Sequence, residues 1–436
     1  MAFALEMARD RRVCSIEDTD ESIRAEYGQY LTPVEVAKHA ADLFSDSDTA
    51  VTCLDLGSGS GVLSAALFER YGKSCSVVGV EQDERIAAHC SSAYDDLPIQ
   101  TELIVGDALA GLDLGHFDRV VLNPPYRKMS SRDLRQSFLP VKAPNLYAAF
   151  MCIAIQHLAE GGECVAIVPR SWMNGRYFAP FRKWVLENVS IDAMHIYDSR
   201  TEIFADLGVL QEIMLVKFSR KTQGDFITVT ASKNVSSSVA TSYFRFTDLV
   251  NPLDDDLVIS VEPMNTVPSL TLLDVGVRAS TGKVVEYRVK DALSSSFKAG
   301  FETPVLFSCN LRKSTIVHPL SSSRKPQWME TVKSVGLTVP PGYYVLVKRF
   351  APKEEERRLQ AFILDSDVPV AIENHVNVIH AGTKKKTVPL AKDIAEQLCR
   401  LINAPSSDTV FRSYGGSTQV NASDLNRLPV DKECLR

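Results

Sequence analysis

The residues with the most chemical content are Asn123-Pro124-Pro125-Tyr126. Each proline ring fixes φ and removes a backbone donor, so this tetrapeptide is stiff. The stiffness holds the Asn123 side-chain oxygen and the Pro124 carbonyl in fixed directions. Two such acceptors can take the two protons of an exocyclic amine. The nitrogen lone pair is then left facing an electrophilic methyl group. That is catalysis by positioning and electrostatics, without a covalent intermediate. Tyr126 adds a flat ring that can stack on a base. The plain alternative is a rigid turn after a strand.

A second constellation lies upstream. Asp55-Leu56-Gly57-Ser58-Gly59-Ser60-Gly61 is a glycine-rich turn that lets the backbone approach a ligand closely. Alone it fits a dinucleotide, another nucleotide-like cofactor, or a structural turn. Glu81 follows the next apolar run and can accept from ribose hydroxyls. Asp107 follows the third and can accept the amino group of an adenine ring. A nicotinamide dinucleotide fits these three features, but the tetrapeptide does not belong to that class.

Alternating strands and helices must position these groups. Val51–Leu56, Ser76–Val80, Leu103–Val105, Phe117–Leu122 and Cys164–Val168 read as strands. Val62–Tyr71, Asp83–Ser92 and Leu146–Glu160 read as helices, and Val209–Lys217 as a late strand at the sheet edge. This alternation predicts a mostly parallel sheet covered on both faces, with ligands beyond the C-terminal strand ends. Ser and Thr rise through Lys233–Tyr243, which places a boundary near 235. Beyond it, Val305–Phe307, Tyr343–Val347 and Val376–Ile379 read as strands and Asp393–Asn403 as a helix, a mixed α+β region.

Composition bounds the rest. The chain has 436 residues, 48 Lys plus Arg, 54 Asp plus Glu and a formal net charge of -6. Taken alone, that balance argues against a nucleic-acid partner. The halves differ, however: residues 1–240 hold 23 basic and 32 acidic groups, and 241–436 hold 25 and 22. Nine scattered Cys without a CxxC pair fit reduced thiols in the cytoplasm. Met1–Cys14 shows no signal-peptide pattern, and no apolar run reaches membrane-span length. No metal-ligand spacing is present, so no metal is expected unless the fold itself brings soft ligands together.

On these motifs the chain resembles the gamma-type DNA adenine-N6 methyltransferases of type II restriction–modification systems. The resemblance covers nearly the whole sequence. It implies S-adenosylmethionine as cofactor and duplex DNA with a specific site as substrate. It implies an α/β doubly wound methyltransferase domain over 1–235 and an α+β target recognition domain over 236–436. Tyr30, Thr32 and Pro33 resemble the N-terminal motif beside the methionine part of the cofactor. Asp55, Gly57, Gly59 and Gly61 resemble its cradle, and Glu81 and Asp107 the ribose and adenine acids. Asn123 and Pro124 resemble the amine acceptors and Tyr126 the stacking ring. Phe178, in preference to Tyr177, resembles the aromatic on the other face of a flipped adenine. Asn145-Leu146-Tyr147 resembles a stretch near the active site.

Arg412-Ser413-Tyr414 through Asp424-Leu425 resembles the C-terminal signature of the group, with Tyr414, Gly415, Ser417, Thr418, Gln419 and Asn421 as expected DNA contacts. Its plain reading is a capped helix start at Asn421 or Ser423. Thr281-Gly282-Lys283 resembles a family turn. Arg312-Lys313, Lys325, Lys348-Arg349 and Lys384-Lys385-Lys386 are cationic candidates. Arg127, Lys128, Arg132 and Arg135 follow the tetrapeptide and would form a basic rim facing DNA. Asn374 and Asn377 read as fold-supporting. A monomer with a separately encoded endonuclease is expected. The alternatives are amine methylation of RNA, cytosine-N4 or protein glutamine, a fused restriction–modification polypeptide, and a non-catalytic binding module.

Overall fold

The computed structural model describes residues 2–17, 30–197, 213–250, 254–261, 270–350, 357–414 and 419–430. The chain divides into two units, Met1–Pro263 and Met264–Arg436. In the first, β1 (Val51–Leu56), β2 (Cys75–Glu81), β3 (Thr101–Val105), β4 (Phe117–Leu122) and β5 (Leu158–Pro169) run parallel. They continue through β6 (Ser190–Tyr197), β7 (Ile213–Ser219), β8 (Phe226–Ser232) and β9 (Ala240–Arg245). The nine strands form one sheet in the order β3-β2-β1-β4-β5-β7-β6-β8-β9.

Apolar residues alternate between the two faces of this sheet. Leu54, Leu56, Val120, Leu122, Ala166 and Val168 join a core with the helix Leu146–Gln156. Val51, Cys53, Val121, Val165 and Ile167 join a second core with the helices Val34–Asp42 and Val62–Tyr71. Strands buried on both sides read as continuous apolar runs, which makes them visible in the sequence. The chain leaves β1 toward β2 and β3, then returns to β4 on the other side. This reversal opens a crevice at the C-terminal ends of β1 and β4.

Three sequence expectations are corrected. The late strand is not an edge: β7 lies antiparallel between β5 and β6, and all its residues are buried. The unit boundary also falls beyond 235. The Ser- and Thr-rich stretch is the turn and outer strand of a β8–β9 hairpin, with Ile227 paired to Phe244. Most residues of β9 are exposed, so an edge strand has the composition of a linker. The expected helix to Glu160 also ends earlier, at Gln156, and β5 begins at Leu158.

The second unit is mixed. Arg278–Thr281, Val376–His380, Gly342–Lys348 and Ala361–Ser366 form a four-stranded antiparallel sheet in that order. Thr303–Leu306 and Val370–Ile372 pair in parallel within a second, five-stranded sheet. Helices Lys392–Ile402 and Pro405–Tyr414 follow.

Candidate active site

The crevice is a cavity of about 690 Å³, within the range of small-molecule sites. Tyr30, Thr32, Gly57, Gly59, Glu81, Asp107 and Asn123 all line it. Gly57 has φ +82°, and an added Cβ would stand 3.3 Å from the Phe150 ring. Gly59 has φ +56°, and its Cβ would lie 3.0 Å from Leu31. Both positive φ values favour glycine, and a Cβ at either position would press on the neighbouring side chain. Glu81 closes the loop: Oε2 accepts from Gly59 N and Oε1 from Asp83 N, both at 2.9 Å. Burial pushes its carboxyl pKa up against these hydrogen bonds. Each oxygen retains a lone pair for a ribose hydroxyl.

Asp107 follows β3. Its Oδ1 accepts from Leu109 N at 2.9 Å, and Oδ2 faces Arg135 Nη1 at 3.3 Å. A glycine cradle and carboxylates at two points suit a nucleoside with a zwitterionic tail. The cavity fits S-adenosylmethionine, and Gly57, Gly59, Glu81 and Asp107 are the residues that would hold it.

Asn123 stands just beyond β4. Its Nδ2 donates to the Tyr30 carbonyl at 2.7 Å and to Thr32 Oγ1 at 2.9 Å. Both amide protons are used, so Oδ1 is fixed as the acceptor. The Tyr126 hydroxyl donates to that oxygen at 3.0 Å and lies 3.3 Å from the Ile167 carbonyl. Burial pushes the Tyr126 hydroxyl pKa well above its ordinary value, so it stays a donor. Pro124 is buried, and no donor among the described residues reaches its carbonyl.

Several expected residues act behind the cavity. Pro33 starts the helix Val34–Asp42, its carbonyl accepting from Ala37 N. Gly61, at φ +82°, begins the helix Val62–Tyr71. Asp55 is fully buried and does not line the cavity. Its Oδ2 accepts from Ser64 N at 3.0 Å and Ser64 Oγ at 2.6 Å, while Oδ1 has no hydrogen-bond partner among the described residues. Burial raises its pKa to about 7. It ties β1 to the helix after the glycine turn.

The aromatic pair does not form an open two-sided clamp. Phe178 is buried, and Tyr147 stacks on it with ring centroids 5.6 Å apart and planes 20° apart. Tyr147 in turn meets Tyr126 edge-on at 6.2 Å. Tyr177 is 87% exposed. Tyr147 thus covers one face of the Phe178 ring. It follows Asn145, which caps the helix Leu146–Gln156 by accepting from Ala148 N at 3.0 Å. Leu146 and Phe150 of the same helix line the cavity. The sequence motif covers 145–147 but not Phe150, one turn further along the same face.

Of the basic rim, Arg127, Lys128 and Arg132 are exposed, and Arg127 reaches the cavity mouth. Arg135 instead turns inward. It pairs with Asp133 at 2.7 Å and with Asp107 at 3.3 Å. The Asp133 hydrogen bond, with Asp107 behind it, raises its guanidinium pKa further.

In the second unit, Thr281 is partly buried, with Oγ1 3.4 Å from Asn377 Oδ1. Lys283 is exposed and donates to the Gly336 carbonyl. Gln419 Oε1 accepts from Arg349 Nη2 at 3.3 Å, and Arg349 also donates to the Asn374 carbonyl at 3.1 Å. Asn377 is fully buried and donates to the Val420 carbonyl at 2.7 Å, a fold-supporting role. Asn421 occupies the N-cap position of the helix Ala422–Leu425, yet its side chain donates to Asp424 instead of capping. Tyr414 ends the helix Pro405–Tyr414. The Tyr414 side chain and Gly415, Ser417 and Thr418 lie outside the described residues. Among the described residues no His, Cys, Asp and Glu cluster could hold a metal ion, and no helix is long and apolar enough to cross a membrane.

Comparison with known proteins gives this geometry a family. The profile of the Eco57I restriction-modification methylase family matches residues 82–204. That of protein-L-isoaspartate(D-aspartate) O-methyltransferase matches 12–122 and so stops before the tetrapeptide. The type II methyltransferase M.PstI of Providencia stuartii is 32% identical over 94% of this chain and 88% of its own length. M.BsuBI of Bacillus subtilis is 31% identical over 93% and 87%. Among solved structures, the type IIL restriction-modification enzyme MmeI in complex with DNA aligns at a TM-score of 0.52 and 12% identity. The alignment covers 88% of this chain and 61% of that one, a likeness of fold. With a full-length relative above 30% identity and the cofactor crevice in place, the chain belongs to the type II methyltransferases, the S-adenosylmethionine-dependent DNA-modifying enzymes of restriction–modification systems.

Proposed function

We propose that the chain methylates the N6 amine of an adenine flipped out of duplex DNA, and so protects host DNA from a separately encoded endonuclease. The observation that carries this reading is the fixed polarity of Asn123. Its two amide protons are held by Tyr30 and Thr32, which leaves Oδ1, together with the Pro124 carbonyl, to accept from an amine. S-adenosylmethionine, when bound, supplies the electrophilic methyl group. Asn123 and Pro124 would take the two amine protons as hydrogen bonds and aim the nitrogen lone pair into the cavity. Tyr126 would hold the Asn123 oxygen and present its ring to the base. Reaching that pocket requires the base to leave the stack. Target recognition falls to the second unit.

The test is to treat duplex DNA with the enzyme and cofactor and map the methylated base. N6-methyladenine in one sequence context is expected. N4-methylcytosine, or product on RNA or protein alone, would overturn the assignment. Asn123→Ala should lower turnover by about 10²–10³-fold or more, the scale for removing one preorganised polar group. Its affinity for S-adenosylhomocysteine should change little.

A further inference from the structure

Arg135 belongs by sequence to a DNA-facing rim, but the structure puts it at the end of the cavity that Asp107 marks. It sits in the short helix Leu134–Phe138. Asp133 holds its guanidinium as a fork, with Nε at 3.0 Å and Nη2 at 2.7 Å. That leaves Nη1 directed at Asp107 Oδ2. The segment is seated at a second point as well. Gly111 has φ +75°, and a Cβ there would come within 2.7 Å of the Phe138 ring. Gln136 closes the segment on itself, accepting from Ala143 N at 3.0 Å and donating to the Ala143 carbonyl at 2.7 Å.

We propose that Arg135 is a cofactor-positioning residue. It orients the Asp107 carboxylate for the exocyclic amine of the cofactor's adenine and anchors the segment 133–138 over that end of the cavity. The inference rests on the reading of Asp107 as the adenine acceptor. A carboxylate accepts several hydrogen bonds at once, so the Arg135 contact and an adenine amine are compatible on one side chain. The fixed fork makes Arg135 a rigid orienting group, a task a flexible lysine performs poorly.

Calorimetric titration with S-adenosylhomocysteine and with its 6-oxo analogue, S-inosylhomocysteine, tests this without turnover. The wild-type enzyme should prefer the adenosyl compound. Arg135→Ala should bind it about ten-fold or more weakly, the scale of a charge-assisted hydrogen bond. It should also lose most of the preference over the inosyl compound. Arg135→Lys should fall between. Asp133→Asn removes the fork and should shift the preference in the same direction, which covers the case of Arg135→Ala failing to fold. Wild-type affinity and preference in Arg135→Ala and in Asp133→Asn would overturn the proposal. So would equal weakening of both compounds, the mark of a merely structural role. A wild-type enzyme without any adenosyl preference would instead remove the underlying reading of Asp107.

Discussion

Thr32 shows how one hydroxyl can govern a rate without touching substrate. Its Oγ1 and the Tyr30 carbonyl take the two protons of the Asn123 amide, and this fixes which amide atom faces the cavity. Replacing Thr32 with valine keeps the shape but leaves one N–H short of a partner. An unsatisfied buried donor costs about 1–3 kcal/mol, enough to favour rotation of the amide. Thr32→Val should therefore lower kcat by about ten-fold, with KM for DNA changed far less. A KM effect with kcat intact would mean that Thr32 only packs. The Thr-Pro pair is legible as a motif, but its role is not, because the hydrogen bond joins residues 91 positions apart. Phe178 carries the same lesson. Its place in the chain is legible, while the Tyr147 ring covering it depends on how two segments meet in space.

Asp55 belongs to the scale of elements, since it locks the end of β1 to the first turn of the following helix through Ser64. Its pKa of about 7, raised chiefly by burial, means that the folded state holds a proton the unfolded chain releases near pH 4. A raised acid makes folding bind protons, so its contribution is present at low pH and is lost as pH rises from about 4 through 7. Asp55→Asn mimics the neutral form and removes this dependence. Its melting temperature relative to wild type should climb between pH 5 and pH 8; a constant difference would show that Asp55 does not titrate there. The strands that carry this site are legible because β1 and β4 are apolar on both faces. Strand β9 is not, because only one of its neighbours is protein and its exposed residues are Ala, Thr, Ser, Tyr and Arg.

At the scale of the whole molecule, the placement of the boundary changes the electrostatics. Divided at Pro263, the first unit holds 24 basic and 37 acidic residues, net -13, and the second holds 24 and 17, net +7. Asp248, Asp254, Asp255, Asp256 and Glu262 belong with the first unit, and Arg182 donates to the Asp256 carbonyl there. The overall charge of -6 thus conceals a clearly cationic unit. Some of its cations are already committed: Lys325 is paired with Glu286 and Lys333 with Glu330. Arg312 and Lys313 in the Leu311–Ile316 hairpin, and Lys384, Lys385 and Lys386, are exposed and have no acidic partner among the described residues. Free cations on a positive unit are suited to binding phosphate. Neutralising one cation that binds a phosphate should flatten the plot of log K for DNA against log salt by about 0.9. Arg312→Gln with Lys313→Gln, and the triple glutamine variant at 384–386, test the two clusters separately. A shallower slope with the methylated site unchanged is expected from a cluster that binds the backbone. If both variants keep the wild-type slope, these clusters do not hold the phosphates, and the positive charge of this unit reaches DNA through other side chains or not at all.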